Sequence, residues 1–465
     1  SVSFLRARLD TKAFSGLTLS IAVLAFVYVL ALFAGIVEDL ITSDPIVAAD
    51  IRIANLLSAF RTDTLTTVFT WITLLGKSQV ILVFMAALVA FLWLWRKSEY
   101  ILPLFITIIG SQAFTYLGKL AFQRPRPALA VYAEHSFSFP SGHATIAVAF
   151  YGFAGYFLMH LIQGWNRKVN IFFTIIFIII AIGFSRIYLG EHYVSDVWSG
   201  YLVGAMWLII GVSVAEWLGY QKKSDAARAP VHRAGPLSFI FVCIAIVFYG
   251  VFSLRYHPPL ALRPSPGTSV VSRATDIFTR EQMKYTETLI GERQEPVNLI
   301  FVAGDDGRVT SLLRQAAWVK TDRAGISSFL RAVKALIVNA PHPSAPISPS
   351  FWNMRIQDLS FARVPGRNWL RNAHHLKIWK TKYQLKNEDH IYVGMVNANE
   401  GFKWGILPKI APDLDAERES LYQDLSRTGH IEKTQKVQLV KPLVGENFIG
   451  NKFVTDGKAY IITVQ

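Results

Sequence analysis

Long apolar runs alternate with short polar breaks through the first half of the chain, and that pattern stops near Arg255. Seven runs approach the ~20 mostly apolar residues that a membrane-spanning helix needs. They cover residues 16–37, 78–95, 100–122, 142–163, 169–189, 193–217 and 236–254. Between the first two lies the stretch from Ile51 to Arg61, in which apolar residues recur at helical spacing. An amphipathic helix is expected there, lying at the membrane interface or capping a pocket. After residue 256 the chain turns polar, and Pro258-Pro259 with Pro264-Ser265-Pro266-Gly267 reads as a linker. Beyond it, Asn298 to Ala303 reads as a buried strand, Gly304-Asp305-Asp306-Gly307 as a strand-to-helix turn and 309–318 as a helix. A second helix is expected over 326–338, and strands over 390–396 and 459–464. The fold class that follows is an all-α polytopic membrane helix bundle, a six-helix core plus one further span, followed by a soluble α/β domain. The expected boundaries are 1–218 for the core, 219–255 for a basic loop and the seventh span, and 256–465 for the soluble domain.

Charge orients these spans. The chain carries a net charge of +15 among 465 residues, 52% of them hydrophobic. No nucleic-acid recognition motif accompanies the charge, so a nucleic-acid partner is not expected. The basic residues flank the apolar runs instead, where they set topology and meet anionic head groups. Arg96 and Lys97, Arg167 and Lys168, and Lys222, Lys223, Arg228 and Arg233 follow the second, fourth and sixth runs. With Arg6, Arg8 and Lys12 they fall on one side, so the N-terminus is expected in the cytoplasm. Seven spans then place the C-terminal domain, and the loops 123–141 and 186–192, outside. The single cysteine, Cys243, allows no intrachain disulfide. The chain opens on Ser1 and reads as processed or trimmed; its first apolar run is too long for a cleaved signal and reads as a retained span. Trp93, Trp95 and Trp198 near run ends read as interface anchors.

The chemistry concentrates in three blocks. The first is Lys119-Leu120-Ala121-Phe122-Gln123-Arg124-Pro125-Arg126-Pro127. The second is Pro140-Ser141-Gly142-His143, and the third runs from Ser185-Arg186 to Glu191-His192-Tyr193-Val194-Ser195-Asp196. A phosphate dianion needs several cationic donors, which Lys119, Arg126 and Arg186 can supply. Ser141 and Gly142 open a helix, where free N–H groups and the helix dipole favour an anion. His192 and Asp196 stand four apart, hence on one helical face. Asp196 can then take the proton of one ring nitrogen and leave the other to attack phosphorus. His143 is placed to protonate the leaving oxygen and later to activate water. Each residue also has a bland reading: Lys119 as a snorkelling anchor, His143 as a helix-start cap, Asp196 as a buried hydrogen-bonding group. Tyr188 and Glu191 read as packing or pocket rim.

The blocks Lys-x6-Arg-Pro, Pro-Ser-Gly-His and Ser-Arg-x5-His-x3-Asp resemble the three signatures of the type 2 phosphatidic acid phosphatase (PAP2) superfamily. The resemblance covers about residues 15–218. It implies a metal-independent membrane phosphatase with no cofactor. In that reading His192 is the nucleophile, Asp196 its partner and His143 the general acid. Lys119, Arg126, Ser141, Gly142 and Arg186 are the phosphate ligands. The spacing selects Arg126 over Arg124, which is left as either an auxiliary ligand or a loop charge.

In the soluble part, Arg371-Asn372-Ala373-His374-His375-Leu376-Lys377-Ile378-Trp379 and Pro412-Asp413-Leu414-Asp415-Ala416-Glu417-Arg418 resemble the LssY C-terminal domain, over about 260–465. It implies no catalytic role; an envelope partner is one expectation for it. His374, His375, Asp413, Asp415 and Glu417 match no standard metal spacing and read as a solvated surface. The functional expectation is a phosphatase of the bacterial inner membrane, multi-pass, with its site on the outer face. Its substrate would be a lipid phosphate or diphosphate, of the undecaprenyl diphosphate or phosphatidic acid type. A phosphotransferase and a membrane-anchored scaffold are the alternatives.

Overall fold

A computed structural model describes residues 8–10, 13–42, 45–221, 234–261, 267–322, 344–364, 373–403 and 407–465, with positions 325, 328, 331 and 334. The basic loop 222–233 and most of the helix expected over 326–338 lie outside the described residues. The chain forms two compact units, Ser1–Asp50 with Arg61–Arg263, and Ile51–Phe60 with Pro264–Gln465.

The first unit is helical. Its helices are α1 (Phe14–Thr42), the first six residues of α2 (Pro45–Ala59), α3 (Asp63–Leu74), α4 (Ser78–Leu94), α5 (Ile101–Phe122), α6 (Gly142–Leu161), α7 (Trp165–Tyr188), α8 (Val194–Gln221) and α9 (Ala234–Arg255). Among the described residues α1, α5, α6, α7, α8 and α9 are long and apolar enough to cross a membrane. The pair α3 and α4 qualifies jointly across a bend of 44°, giving up to seven spans. That pair modifies the expectation of a lone span over 78–95. Thr62 caps α3 by accepting from the Leu65 amide, a local start signal inside a stretch with weak apolar patterning. The many exposed apolar side chains of α1 and α9, such as Leu24, Phe239 and Val247, suit a lipid surround.

Small residues bring α8 close to α6. A Cβ on Gly200 would lie 2.5 Å from the Ser141 carbonyl oxygen, and one on Gly204 2.6 Å from that of Thr145. Backbones packed this closely are how membrane helices gain contact where lipid offers no hydrophobic drive. The core beneath is apolar, with Leu104, Phe153, Phe157 and Ile182 buried together.

The second unit is built on a nine-stranded mixed sheet. Its centre uses β1 (Leu299–Ala303), β2 (Leu359–Arg363), β3 (His374–Gln384), β4 (His390–Lys403), β5 (Ile431–Gln438) and β6 (Lys458–Val464). Their order is β5-β6-β1-β4-β3-β2, with Val319–Lys320 beyond β2. The pair β6–β1 is parallel and the other central pairs are antiparallel. Every residue of β1 is buried, as its unbroken apolar run requires of a central strand covered on both faces. Helices α10 (Asp306–Gln315) and α11 (Leu414–Ser426) supply Leu312, Leu313, Leu421 and Leu425 to one core with Phe301, Leu376 and Ile378. Asp305 caps α10 and Asp413 caps α11 through their carboxylates. The expected turn at 304–307 is therefore a strand-to-helix turn, and α10 begins three residues earlier than periodicity suggests. The Ile51–Arg61 stretch, expected as an amphipathic helix at the interface or over a pocket, is helical to Ala59, and Leu56 lines a cavity. Its residues 51–60 belong to this unit, where Arg52 is buried and donates to Glu287 from Nε at 2.9 Å and Nη2 at 2.6 Å. His374 Nδ1 stands 2.7 Å from Glu417 Oε1, and Asp415 pairs with Arg418 at 2.9 Å. These residues thus engage one another and their neighbours across the β3–α11 side of the sheet.

Candidate active site

Adjacent antiparallel helices bring four termini to one end of the first unit. Lys119 lies in the last turn of α5 and Arg186 in that of α7. Ser141 is the N-cap of α6, followed by Gly142 and His143. His192 precedes α8, and Asp196 sits in its first turn. The turn between α7 and α8 is held by the Arg186 carbonyl, which accepts from the amides of Glu191 at 2.9 Å and His192 at 3.3 Å. Gly190 turns there with φ +70°, which favours glycine, and a Cβ would also lie 2.9 Å from the Leu129 carbonyl oxygen.

The His192 ring is buried, with its two nitrogens facing different groups. Nδ1 is 3.6 Å from Asp196 Oδ2, and Nε2 is 3.4 Å from Arg126 Nη1. Burial, and then the charges of Arg126 and Arg186, hold the imidazole well below its ordinary value of 6.5. The neutral ring therefore keeps a lone pair on one nitrogen at physiological pH.

Asp196 is fully buried and held on both oxygens. Oδ1 accepts from Arg124 Nη1 at 2.6 Å, and Oδ2 accepts from the Tyr193 amide at 2.9 Å. Its own carbonyl accepts from the Ser141 amide at 3.0 Å, which ties α8 to the start of α6. Arg124 extends this network through Nη2 to Asp50 Oδ2 at 2.9 Å and through Nη1 to Ser195 Oγ at 2.8 Å. Asp50 Oδ1 accepts from the Ser195 amide at 3.1 Å, and the Ser195 hydroxyl donates to Asp50 Oδ2. Arg124, left from sequence as an auxiliary ligand or a loop charge, is a buried bridge between two carboxylates.

The other cations cluster around Glu191. Its carboxylate is fully buried, with Oε2 at 3.4 Å from Arg126 Nη1 and 3.8 Å from Arg186 Nη2. Oε1 accepts from the Tyr132 amide at 3.1 Å. Burial pushes this carboxyl up, and Arg186 and Arg126 oppose that. The sequence reading placed Glu191 at packing or rim; the structure makes it the shared counter-charge of two arginines. Tyr188 packs as expected, its ring 4.4 Å from that of Phe69. Arg126 also donates to Ser136 through Nε at 2.7 Å to the carbonyl and through Nη2 at 2.9 Å to the hydroxyl. Arg186 Nη1 donates to Thr73 Oγ1 at 3.1 Å, while its buried Nε has no protein partner among the described residues. The Ser141 hydroxyl is likewise buried without a partner. Lys119 Nζ donates to the Phe137 carbonyl.

His143 reaches the same place from α6. It packs on Gly76 at the bend between α3 and α4, where a Cβ would lie 3.1 Å from His143 Cδ2. Arg186, His192, Lys77 and Arg126 are the charged and titratable neighbours that bear on it most. Beside Gly142 the nearest atom to an added Cβ is Thr115 Cγ2 at 3.8 Å, so the protein leaves open space at the helix start. All eight residues singled out from sequence therefore meet at one end of the helices. Asp50, Glu191 and the bridging role of Arg124 were missed.

With this geometry in hand, the comparisons with known proteins are direct. Residues 100–220 match the PAP2 superfamily and residues 279–459 match the LssY C-terminus. Phosphatidylglycerophosphatase B of Bacillus subtilis (strain 168) is 32% identical over 179 residues, which is 38% of this chain and 88% of that protein. The chain belongs to the PAP2 superfamily and is a membrane lipid phosphatase of that type, an enzyme class that works without a metal ion. Among solved structures, the PAP2-type phosphatidylglycerolphosphate phosphatase from Bacillus subtilis is 29% identical, with a TM-score of 0.38, covering 44% of this chain and 98% of that one. Aquifex aeolicus LpxE is 28% identical, with a TM-score of 0.29, covering 34% and 92%.

Proposed function

We propose that this chain hydrolyses a lipid phosphate or diphosphate through a phosphohistidine on His192 Nε2. The observation that carries the reading is the position of that nitrogen, 3.4 Å from Arg126, on a ring whose other nitrogen faces Asp196. In the first step Nε2 attacks phosphorus, the bond from phosphorus to the lipid oxygen breaks, and His143 gives that oxygen its proton. Asp196 stabilises the positive charge that develops on the imidazole. In the second step His143 takes a proton from water, the hydroxide attacks phosphorus, and the N–P bond breaks to release phosphate. Lys119, Arg126 and Arg186 hold the equatorial oxygens, with the Ser141 hydroxyl and the Gly142 amide. The unpartnered Arg186 Nε and Ser141 Oγ support this, because each is a buried donor that an oxyanion would satisfy.

The substrate class follows from a site at the ends of membrane spans: a phosphate carried on a lipid. Undecaprenyl diphosphate and phosphatidic-acid-type lipids fit the chemistry, and the relative's name adds phosphatidylglycerophosphate. The basic flanks of the apolar runs support a bacterial inner-membrane protein with this site, and the C-terminal domain, on the outer face. The test is phosphate release from these three lipids by the full chain in detergent with a chelator present. Release that is lost in His192→Ala, with ³²P-labelled protein trapped after acid-free quenching of wild type, is expected. Equal release by His192→Ala overturns the assignment of the nucleophile.

A further inference from the structure

The second unit holds a half-open cavity of about 730 Å³ that plays no part in the chemistry above. Its floor comes from the sheet. Along β3, Leu376 and Ile378 point into the core beneath α10 and α11, whereas Trp379 joins the core on the opposite face with Val393 and Met395 of β4. Strand side chains alternate, so His375 and Lys377 share the Trp379 face, and Asn397 and Asn399 share the Met395 face. The register agrees: His375 is opposite Asn397, and Lys377 is opposite Met395. At one end of this face the apolar core therefore gives way to four polar side chains, all lining the cavity.

Polar groups at inward strand positions cost stability unless something satisfies them. Among the described residues no side chain or backbone group does. Asn397 and Asn399 are 5% and 8% exposed, and their amide groups have no hydrogen-bond partner among the described residues. The same holds for the His375 ring and for Lys377 Nζ, which has no carboxylate within 4.0 Å among those residues. The two cavity-lining acids are already engaged. Glu287 is neutralised by Arg52 at 2.6 Å, and Glu295 accepts from Asn447 at 2.9 Å. The free groups are thus an ammonium, two amides and an imidazole, a set richer in donors than in acceptors. Apolar side chains line the cavity too, and of these Leu289, Ile290 and Phe448 remain exposed.

We propose that this cavity is a ligand site for an oxyanion headgroup carried on an apolar tail, with Lys377, Asn397 and Asn399 holding the oxygens. Lys377 supplies the charge, the amides supply fixed donors, and the apolar lining receives the tail. The site stands independently of the phosphatase reading. Phosphate and carboxylate headgroups share this chemistry, and the experiment separates them.

The test uses the full chain carrying His192→Ala, so that nothing is hydrolysed, in phosphatidylcholine nanodiscs. Equilibrium binding of radiolabelled dodecyl phosphate, dodecanoate and inorganic phosphate is measured. Adding Lys377→Gln or Asn399→Ala is expected to weaken one binding event by about tenfold or more, and adding Arg126→Ala to leave that event intact. Loss for dodecyl phosphate alone assigns a phosphate headgroup, and loss for both amphiphiles assigns any oxyanion. Inorganic phosphate is expected to bind at least about tenfold more weakly than dodecyl phosphate, since it has no tail. With His192 restored, Lys377→Gln is expected to hydrolyse lipid phosphate within about twofold of wild type, which shows the fold intact. Unchanged binding of both amphiphiles in both cavity variants overturns the proposal.

Discussion

Both units gather hydrogen-bond donors in a partly enclosed place, yet they treat them oppositely. In the membrane unit Arg124 is tied to Asp50 and Asp196, and Arg126 and Arg186 share Glu191. In the C-terminal unit the side chains of Lys377, His375, Asn397 and Asn399 have no hydrogen-bond or ion-pair partner among the described residues. A site that must stabilise a transition state benefits from donors fixed beforehand, because little reorganisation is then left for the reaction itself. A site that only binds can leave its groups for the ligand to satisfy. The difference separates a catalytic device from a receptor-like one.

The largest effect expected in the membrane unit is from the nucleophile. His192→Ala is expected to reduce phosphate release below detection, and His143→Ala to lower kcat by about 10²–10⁴-fold, the usual weight of a general acid. Stopped assays of phosphate release measure both. A His143→Ala variant that still forms phosphoprotein but fails to discharge it would sharpen the division of labour between the two histidines.

Next comes the bridge. Arg124→Leu removes the cation that bridges two buried carboxylates, and breaking such a pair costs about 3–5 kcal/mol. Thermal unfolding of the purified chain is expected to fall accordingly, with activity lost in the surviving fraction. Unchanged unfolding would show that Asp50 and Asp196 are not charged together, and the comparison above would lose its first half.

Glu191→Gln tests the shared counter-charge more finely. The amide keeps the shape and the bond from Tyr132 but no longer balances Arg126 and Arg186. Misplacement of the arginines is expected to lower kcat/KM by about tenfold, equivalent to ~1.4 kcal/mol of transition-state binding. A rise in activity instead would mean that the carboxylate competes with substrate for the arginines.

How far this was legible in sequence follows from the range of each interaction. His192 and Asp196 lie one helical turn apart, and the ends of α5, α6 and α7 announce themselves where apolar runs stop, so local spacing offered these residues, while the family resemblance chose Arg126 over Arg124. Asp50, Arg124 and Asp196 come together from segments 72 and 74 residues apart along the chain, and no local pattern records that. A signal did exist: Asp50 and Glu191 are carboxylates close to apolar runs, where a buried acid needs a partner. The Ile51–Arg61 stretch was legible as a helix, but its partner was not, for a related reason. Amphipathic periodicity says that one face is covered, and not by what; the cover includes Glu287, far along the sequence. In the soluble part β1, β4 and β6 were legible because buried strands read as apolar runs. The polar inward face at His375, Lys377, Asn397 and Asn399 was not, since alternation has meaning only once the core side of each strand is known.

The smallest effect expected concerns that face, and it cuts between ligand site and ordinary core. If Lys377 were merely an awkward core residue, Lys377→Met would gain stability and lose nothing else. A ligand site predicts the same gain for the empty protein, neutral to about 1 kcal/mol, because a desolvated ammonium is replaced by a matched apolar chain. The readings separate when dodecyl phosphate is added to the His192→Ala background. Ligand stabilises a fold by an amount that grows with its concentration over Kd, about 2.7 kcal/mol at a hundredfold excess. The chain with Lys377 intact is expected to show that rise in the unfolding of its C-terminal unit, followed by tryptophan emission from Trp352 and Trp379, which lie in the core beside the cavity. The Lys377→Met chain is expected to start higher and rise less, so that the two melting curves cross as ligand is added. Parallel curves would make the lysine a packing residue and the cavity an unfilled space.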